Sequence, residues 1–443
     1  MPGLGGGGWA VRRSLCAGAL SALALATGAA PAHAIGTAPC SDPQVFEGAA
    51  VNAVILPYRF EPSPSADFGE LKVVGDRITA MVQLEVLFAM LKYGSVGTTR
   101  LFNEDPFHPC DPNAVVQRVI ERVRPGNGLA VIWGRIYVQG DQVYLQSYVR
   151  FARGGAEKEE IAVHLGPEGR GLRLVGRLPA QAVPMAPRTI TRRDLDQIQE
   201  AFRRSIAVRP SRDEGAAGTP LEIRPRDPFD ATIVDVQGDW MKLESGTGPS
   251  GWVRARTDST DWALRRFMPE LGYFDAVLGY LRVNARTPLA GVAPGTVSGW
   301  ITSQFAAYEE AVGGDAAPVA VSLSRALRGF LLWTKPAPSR EEAAQLCADS
   351  GRLAPHYAEA RALAAITGPW LHASRDPADP DTQRRIDDGL LAALAVDPYN
   401  ATVLDNLERL YTFAQAHPSP RPIHPDLAGR LAVVRAARAA ARQ

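Results

Sequence analysis

The sequence predicts a multidomain α+β protein, with an N-terminal α/β domain, a small β-rich unit in the middle and a C-terminal α-helical region. Three observations carry this prediction. A chain of 443 residues exceeds one ordinary core, and at about 150 residues per domain it divides into about three. Apolar spacing changes along it: strand and helix periods alternate over 40–188, short alternating runs fill 203–256, and helical spacing prevails over 259–443. Apolar content of 46% with 21% charged residues is the composition of a folded globular chain, not of a disordered one.

The charge balance and the N-terminus bound the function. The 48 basic and 47 acidic groups leave a formal charge of +1, so no net field draws a polyanion or an anionic bilayer. Nucleic acid and membrane surface are therefore not expected as partners. Residues 1–34 read as a signal peptide: Arg12 and Arg13 start it, Leu15 to Ala30 form a charge-free apolar run, and Ala32-His33-Ala34 supplies small residues for cleavage before Ile35. The alternative is an uncleaved anchor, but the run is shorter than the roughly 20 residues a bilayer span needs. Arg12-Arg13-Ser14-Leu15 is similar to a twin-arginine signal, with Cys16 where a second bulky apolar residue belongs, so both export routes stay open. Neither Cys16 nor Cys40 follows a lipobox. The expected location is exported, in the periplasm or cell envelope, with no stable membrane span after cleavage. Of the remaining cysteines, Cys40 and Cys110 flank one domain and are the expected disulfide, while Cys347, in a helical stretch, is expected as a buried thiol.

In the first domain, Val51 to Phe60 is rich in residues that suit a buried strand and ends in breakers. Ile78, Met81, Val82, Leu84, Leu87 and Leu91 recur at helical intervals, and Val96 to Phe102 reads as a short strand. Asp111-Pro112 then opens a helix bearing Val115, Val116, Val119 and Ile120, with a capping carboxylate and a proline where amides are unpaired. Two alternating runs, Leu129 to Val138 and Val143 to Phe151, enclose Gly140-Asp141 and make a hairpin. This order resembles the small α/β domain at the N-terminus of the periplasmic TolB protein. The residues that carry the resemblance are Ala53-Val54-Ile55-Leu56-Pro57-Tyr58 and Ala130 to Phe151.

The sharpest pattern lies in 203–256. An apolar run from Ala231 to Val236 leads through Gly238-Asp239 to Trp240-Met241-Lys242-Leu243, then a Gly-rich loop and Gly251-Trp252-Val253. This phrase resembles the bacterial SH3-like (SH3b) domain, and Val208-Arg209-Pro210 is similar to that family's opening without its glycine. The resemblance implies a small β-barrel that contacts peptidoglycan or a protein. Trp240 and Trp252 are expected to fill such a barrel's few inward positions, at roughly 150–250 Å² of burial each. The other reading has them at a ligand groove, with Asp239, Lys242 and Arg254 as polar contacts.

From 259 the chain reads as helices separated by joints at Pro294-Gly295 and Thr334 to Ser339. Over 386–415, Asp397-Pro398 divides two helices with large residues at Leu404, Leu407 and Tyr411, a phrase that resembles a tetratricopeptide boundary. Glu408 stands where that family prefers a small residue, and an unspecialised helical bundle is the competing reading.

No GxSxG, HExxH or P-loop pattern follows the signal peptide, and the remaining histidines sit singly. His417 and His424 fall in a Pro-rich loop, and the pairs Glu159-Glu160 and Asp387-Asp388 read as solvated faces. No catalytic residue, metal site or cofactor is expected. The sequence therefore points to a non-catalytic exported binding or scaffolding protein whose partner is cell-wall glycan or peptide, or an envelope protein. A cell-wall hydrolase or its accessory subunit, with the SH3-like unit as targeting module, is the alternative.

Overall fold

A computed structural model describes residues 43–441 except 62–73, 80–81, 84–85, 87–92, 94, 102–109, 141, 156–158, 167–170, 179–181, 192, 195–205, 214, 222–229, 238–239, 247, 255–267, 287–293, 314–316 and 335–338. Segment 1–34, read as a signal peptide in the sequence, Cys40 and Asp239 lie outside the described residues. The chain has mixed α and β content: a sheet with a C-terminal helical region. No helix of the described residues is long and apolar enough to cross a membrane.

Strand β1 (Val51–Phe60) is the axis of the sheet. It pairs in parallel with β2 (Val96–Arg100) on one side and with β3 (Gly128–Gln139) on the other. Parallel strands in the middle of a sheet are covered on both faces, which is why β1 is mostly apolar and runs without a polar residue from Ala53 to Leu56. Val51, Ala53 and Ile55 share one core cluster with Ile78, Val82 and Val86 of the helical stretch after β1. Val54 and Leu56 meet Val115, Val116 and Val119 of helix α1 (Pro112–Ile120) in a second cluster on the opposite face. Asp111 caps α1 by accepting the Asn113 amide at 2.9 Å, with Pro112 in the first turn as the sequence predicts.

The hairpin of β3 with β4 (Gln142–Arg153) keeps an unbroken register from Gly128↔Arg153 to Gln139↔Gln142. Beyond it, β7 (Val183–Pro184) and β8 (Arg188–Ile190) both pair with β4. A separate hairpin, β5 (Glu160–Leu165) with β6 (Leu172–Arg177), has no counterpart among the sequence expectations. On the other side of the sheet, the 203–256 segment contributes β11 (Asp230–Gln237), β12 (Trp240–Ser245) and β13 (Gly251–Arg254). Strand β11 pairs antiparallel with β2 from Asp230↔Thr99 to Ile233↔Val96, so this meander continues the N-terminal sheet.

The helical region follows as α2 (Glu270–Val283), α3 (Pro294–Val312), α4 (Pro318–Trp333), α5 (Arg340–Leu353), α6 (Ala358–Thr367), α7 (Pro380–Leu394), α8 (Ala401–Ala416) and α9 (Leu427–Ala440). Pro294-Gly295, expected as a joint, begins α3, consistent with the tolerance of a first helical turn for proline. Twelve of the fourteen residues of α2 are buried. One hydrophobic cluster runs from Val51 through Phe274, Phe305 and Phe330 to Val434. The hairpin β5–β6 is fastened to the helices by Asn406 of α8. Its amide accepts from Val175 N–H at 2.8 Å and donates to Val175 C=O at 2.7 Å, so one side chain completes the backbone bonding of an outer strand.

A polar chain crosses the junction of sheet and helices. The Tyr58 hydroxyl donates to Ser147 Oγ at 3.0 Å, and Ser147 donates to Glu270 Oε1 at 3.1 Å. Tyr58 reaches Ser147 by lying across Gly134, where a Cβ would stand 2.1 Å from its ring. Burial raises the Glu270 carboxyl above its ordinary value, against the lowering from its own backbone bond, Arg188 and Ser147. In the unfolded chain this acid ionises near its ordinary value, whereas the folded state holds the proton to higher pH. Its contribution to stability is therefore present at low pH and is lost as pH rises through the raised value. Glu270→Gln keeps an acceptor for Ser147 and removes the ionisation, so the variant should gain stability over the unchanged chain as pH rises from 5 to 8. Urea midpoints measured across that range check this, and parallel profiles would contradict it.

Candidate functional site

The aromatic and basic positions singled out in the sequence gather on one face of the meander. In β12 the side chains alternate, so Trp240 and Lys242 share a face while Leu243 turns to the other. The register sets Lys242 opposite Trp252 and Trp240 opposite Arg254. Four positions on two neighbouring strands thus alternate between ring and cation; the Arg254 side chain is outside the described residues. Both indoles are half-buried and Lys242 is exposed.

The inward positions belong instead to Leu243 and Val253, which are fully buried and join the main cluster with Val208. The expectation that the two tryptophans fill a barrel interior is corrected by this alternation. Small aliphatic side chains suffice on the inner face because the sheet and its helices supply the rest of the core.

Two further cations complete the face. Arg209 lies over the Trp240 ring at 5.7 Å and Arg212 over the Trp252 ring at 5.4 Å. Cation–π pairs at exposed sites are worth about 0.5–1 kcal/mol, weak enough for a ligand to compete for either partner. Arg209 follows strand β9 (Ile206–Val208), which pairs with β10 (Thr219–Leu221), and it forms an antiparallel bridge with Trp252. Its amide donates to the Trp252 carbonyl at 2.7 Å and its carbonyl accepts from the Trp252 amide at 2.6 Å. Lys242 also faces Asp235 across β11, whose carboxylate accepts from Gln237 at 2.6 Å. The Gly-rich loop before β13 is ordered by Ser250, which accepts the Ser245 amide at 3.0 Å, and by Ser245, which accepts the Gly248 amide at 2.8 Å. In the sequence, Val208-Arg209-Pro210 reads only as an opening phrase. The signal for Arg209 as a site residue was there, but nothing local says that it returns to Trp252.

Other polar groups prove structural. Asp387, read as solvated, is 1% exposed and accepts from the Tyr411 hydroxyl at 2.7 Å, with His424 Nε2 also at 2.7 Å from its other oxygen. Thus His424 is a packed partner and not a solvated loop residue. Glu159 is likewise buried, paired with Arg153 at 2.8 Å and accepting from Tyr280 at 3.3 Å. Cys110 is disulfide-bonded and buried among the α1 valines. Cys347 is free and buried, and burial pushes its thiol up to about 12, against a lowering by Thr367. Among the described residues, no group of three or more His, Cys, Asp or Glu side chains is placed to hold a metal ion.

The glycine of the Gly-Trp-Val phrase has a steric reason. A Cβ at Gly251 would stand 2.4 Å from the Arg209 carbonyl oxygen and 3.0 Å from Val208. Gly251→Ala should therefore push Arg209 off Trp252 and destabilise the fold by about 1–3 kcal/mol, the cost of overpacking. Urea denaturation monitored by tryptophan emission measures it, and an unchanged midpoint would mean that the contact is not held in solution.

No protein-family model, curated protein or solved structure matches the chain.

Proposed function

We propose that the chain is an exported, non-catalytic binding or scaffolding protein of the bacterial cell envelope. In this reading β9–β13 form an SH3-like module whose outer face contacts peptidoglycan or a protein partner. The observation that carries it is the placing of Trp240, Lys242 and Trp252 on one face, with strand position 254 in register with Trp240 and with Arg209 and Arg212 beside the rings. A glycan cross-linked by short peptides offers complementary chemistry. The apolar faces of sugar rings suit indoles, and carboxylates suit guanidinium and ammonium groups. The Arg209–Trp252 bridge, which returns the first strand of the segment to its last, supports the SH3-like reading.

The helical region has a scaffolding role in the same proposal. Asp397 and Pro398 lie in the turn between α7 and α8, and Asn400 caps α8 by accepting the Val403 amide at 3.2 Å, as in a tetratricopeptide-like pair. Export through the 1–34 segment places both surfaces outside the cytosol.

Co-sedimentation of the processed full chain with purified sacculi tests the proposal. The chain is expected in the pellet, and Trp240→Ala with Trp252→Ala should weaken binding at least about tenfold, as loss of aromatic anchors does. Circular dichroism confirms that the variant is folded. A chain that stays in the supernatant and whose tryptophan emission ignores soluble muropeptides would rule out wall binding. Capture of an envelope protein that depends on the same two residues would move the ligand to the protein arm of the proposal.

A further inference from the structure

A second surface, remote in sequence from the tryptophan face, carries its own charge pattern. The start of β6 and the last helix pair, α8 and α9, enclose an open groove of about 500 Å³. Leu172 and Phe413 give it an apolar floor, and Arg173, Arg409, Arg435 and Arg438 stand around it. Against these four guanidinium groups the lining holds two carboxylates, Asp405 and Glu408. The excess is local, since the whole chain carries a formal charge of only +1.

The two carboxylates are already engaged. Glu408 accepts from Arg435 at 2.9 Å and pairs with Arg438, which also meets Asp405 at 2.5 Å. Burial pushes the Glu408 carboxyl up, but hydrogen bonds from Arg435 and Arg438 outweigh it and hold the group below its ordinary value. Glu408, the residue out of place in a tetratricopeptide helix, thus locks the α9 arginines in position. Arg173 and Arg409 have no ion pair or side-chain hydrogen bond among the described residues, and both are exposed. Two uncommitted arginines, two braced ones and a floor with a half-buried ring make a surface for something anionic and partly apolar. A groove of this size falls in the range of about 300–1,000 Å³ typical of ligand sites, and inorganic phosphate would leave the apolar floor uncovered.

We propose that this groove docks an acidic peptide segment of a protein partner, its carboxylates meeting Arg173 and Arg409 and an apolar side chain resting on Leu172 and Phe413. Arginine suits this task because its planar fork pairs with carboxylates in a bidentate way. The inference does not depend on the wall-binding face.

The test is fluorescence anisotropy of the processed full chain with a fluorescein-labelled peptide of alternating aspartate and leucine. Saturable binding is expected, weakening with added salt and falling at least about tenfold in the Arg173→Glu, Arg409→Glu double variant, as for loss of charge-assisted pairs. The milder Arg173→Gln, Arg409→Gln pair should lie between, and the Trp240→Ala, Trp252→Ala variant should bind as the unchanged chain does. Absence of saturable binding overturns the proposal. So does equal affinity for the asparagine–leucine peptide, insensitivity to both arginine variants, or displacement by millimolar inorganic phosphate as effective as that by unlabelled peptide.

Discussion

The architecture depends on the burial of α2 between the sheet and the remaining helices. Its long side chains pack against β1, β3 and β4 on one side, and Tyr273 donates to the Ala320 carbonyl of α4 at 3.0 Å on the other. A helix with twelve of its fourteen residues buried has no stable place at a surface, so sheet and helical region need each other. The polar atoms caught at this junction are bonded in sequence from Tyr58 through Ser147 to Glu270. Hydrogen bonding there offsets the desolvation of buried oxygens and fixes how the two layers meet.

The same packing decides which side chains are left facing outward. The inner face of the meander is spent on Leu243 and Val253, so its large rings and its cations fall on the outer face by the two-residue period of a strand. The arginine-lined groove arises comparably: the inward face of α8 is used by Leu404, Leu407 and Asn406, which leaves Arg409 and Phe413 beside the β6 hairpin. Both surfaces are by-products of core patterning, populated with side chains suited to anions.

Much of the fold was legible locally. The limits of β1, the Asp111 cap and the β3–β4 hairpin follow from apolar runs, capping chemistry and turn residues that act within a few positions. Long-range pairing was not legible. Nothing in Ala231 to Val236 says that its backbone joins Val96, Gly97 and Thr98, because any strand edge can bond any other. Nor does the sequence tell a solvated Asp387 from one enclosed by Tyr411 and His424, since those partners lie 24 and 37 residues away. The tryptophan face was half legible. The residue types were evident, but their direction depended on which face the sheet would cover.

The contact between Asn406 and Val175 bears on how the protein avoids self-association. An outer strand with bare amides and carbonyls is a template on which a second chain can grow. Here a carboxamide on a helix imitates the next strand and occupies the middle of that template, with α8 lying over it. The β6 edge of the two-stranded ribbon is therefore occupied at Val175 and is not left bare there for intermolecular sheet extension.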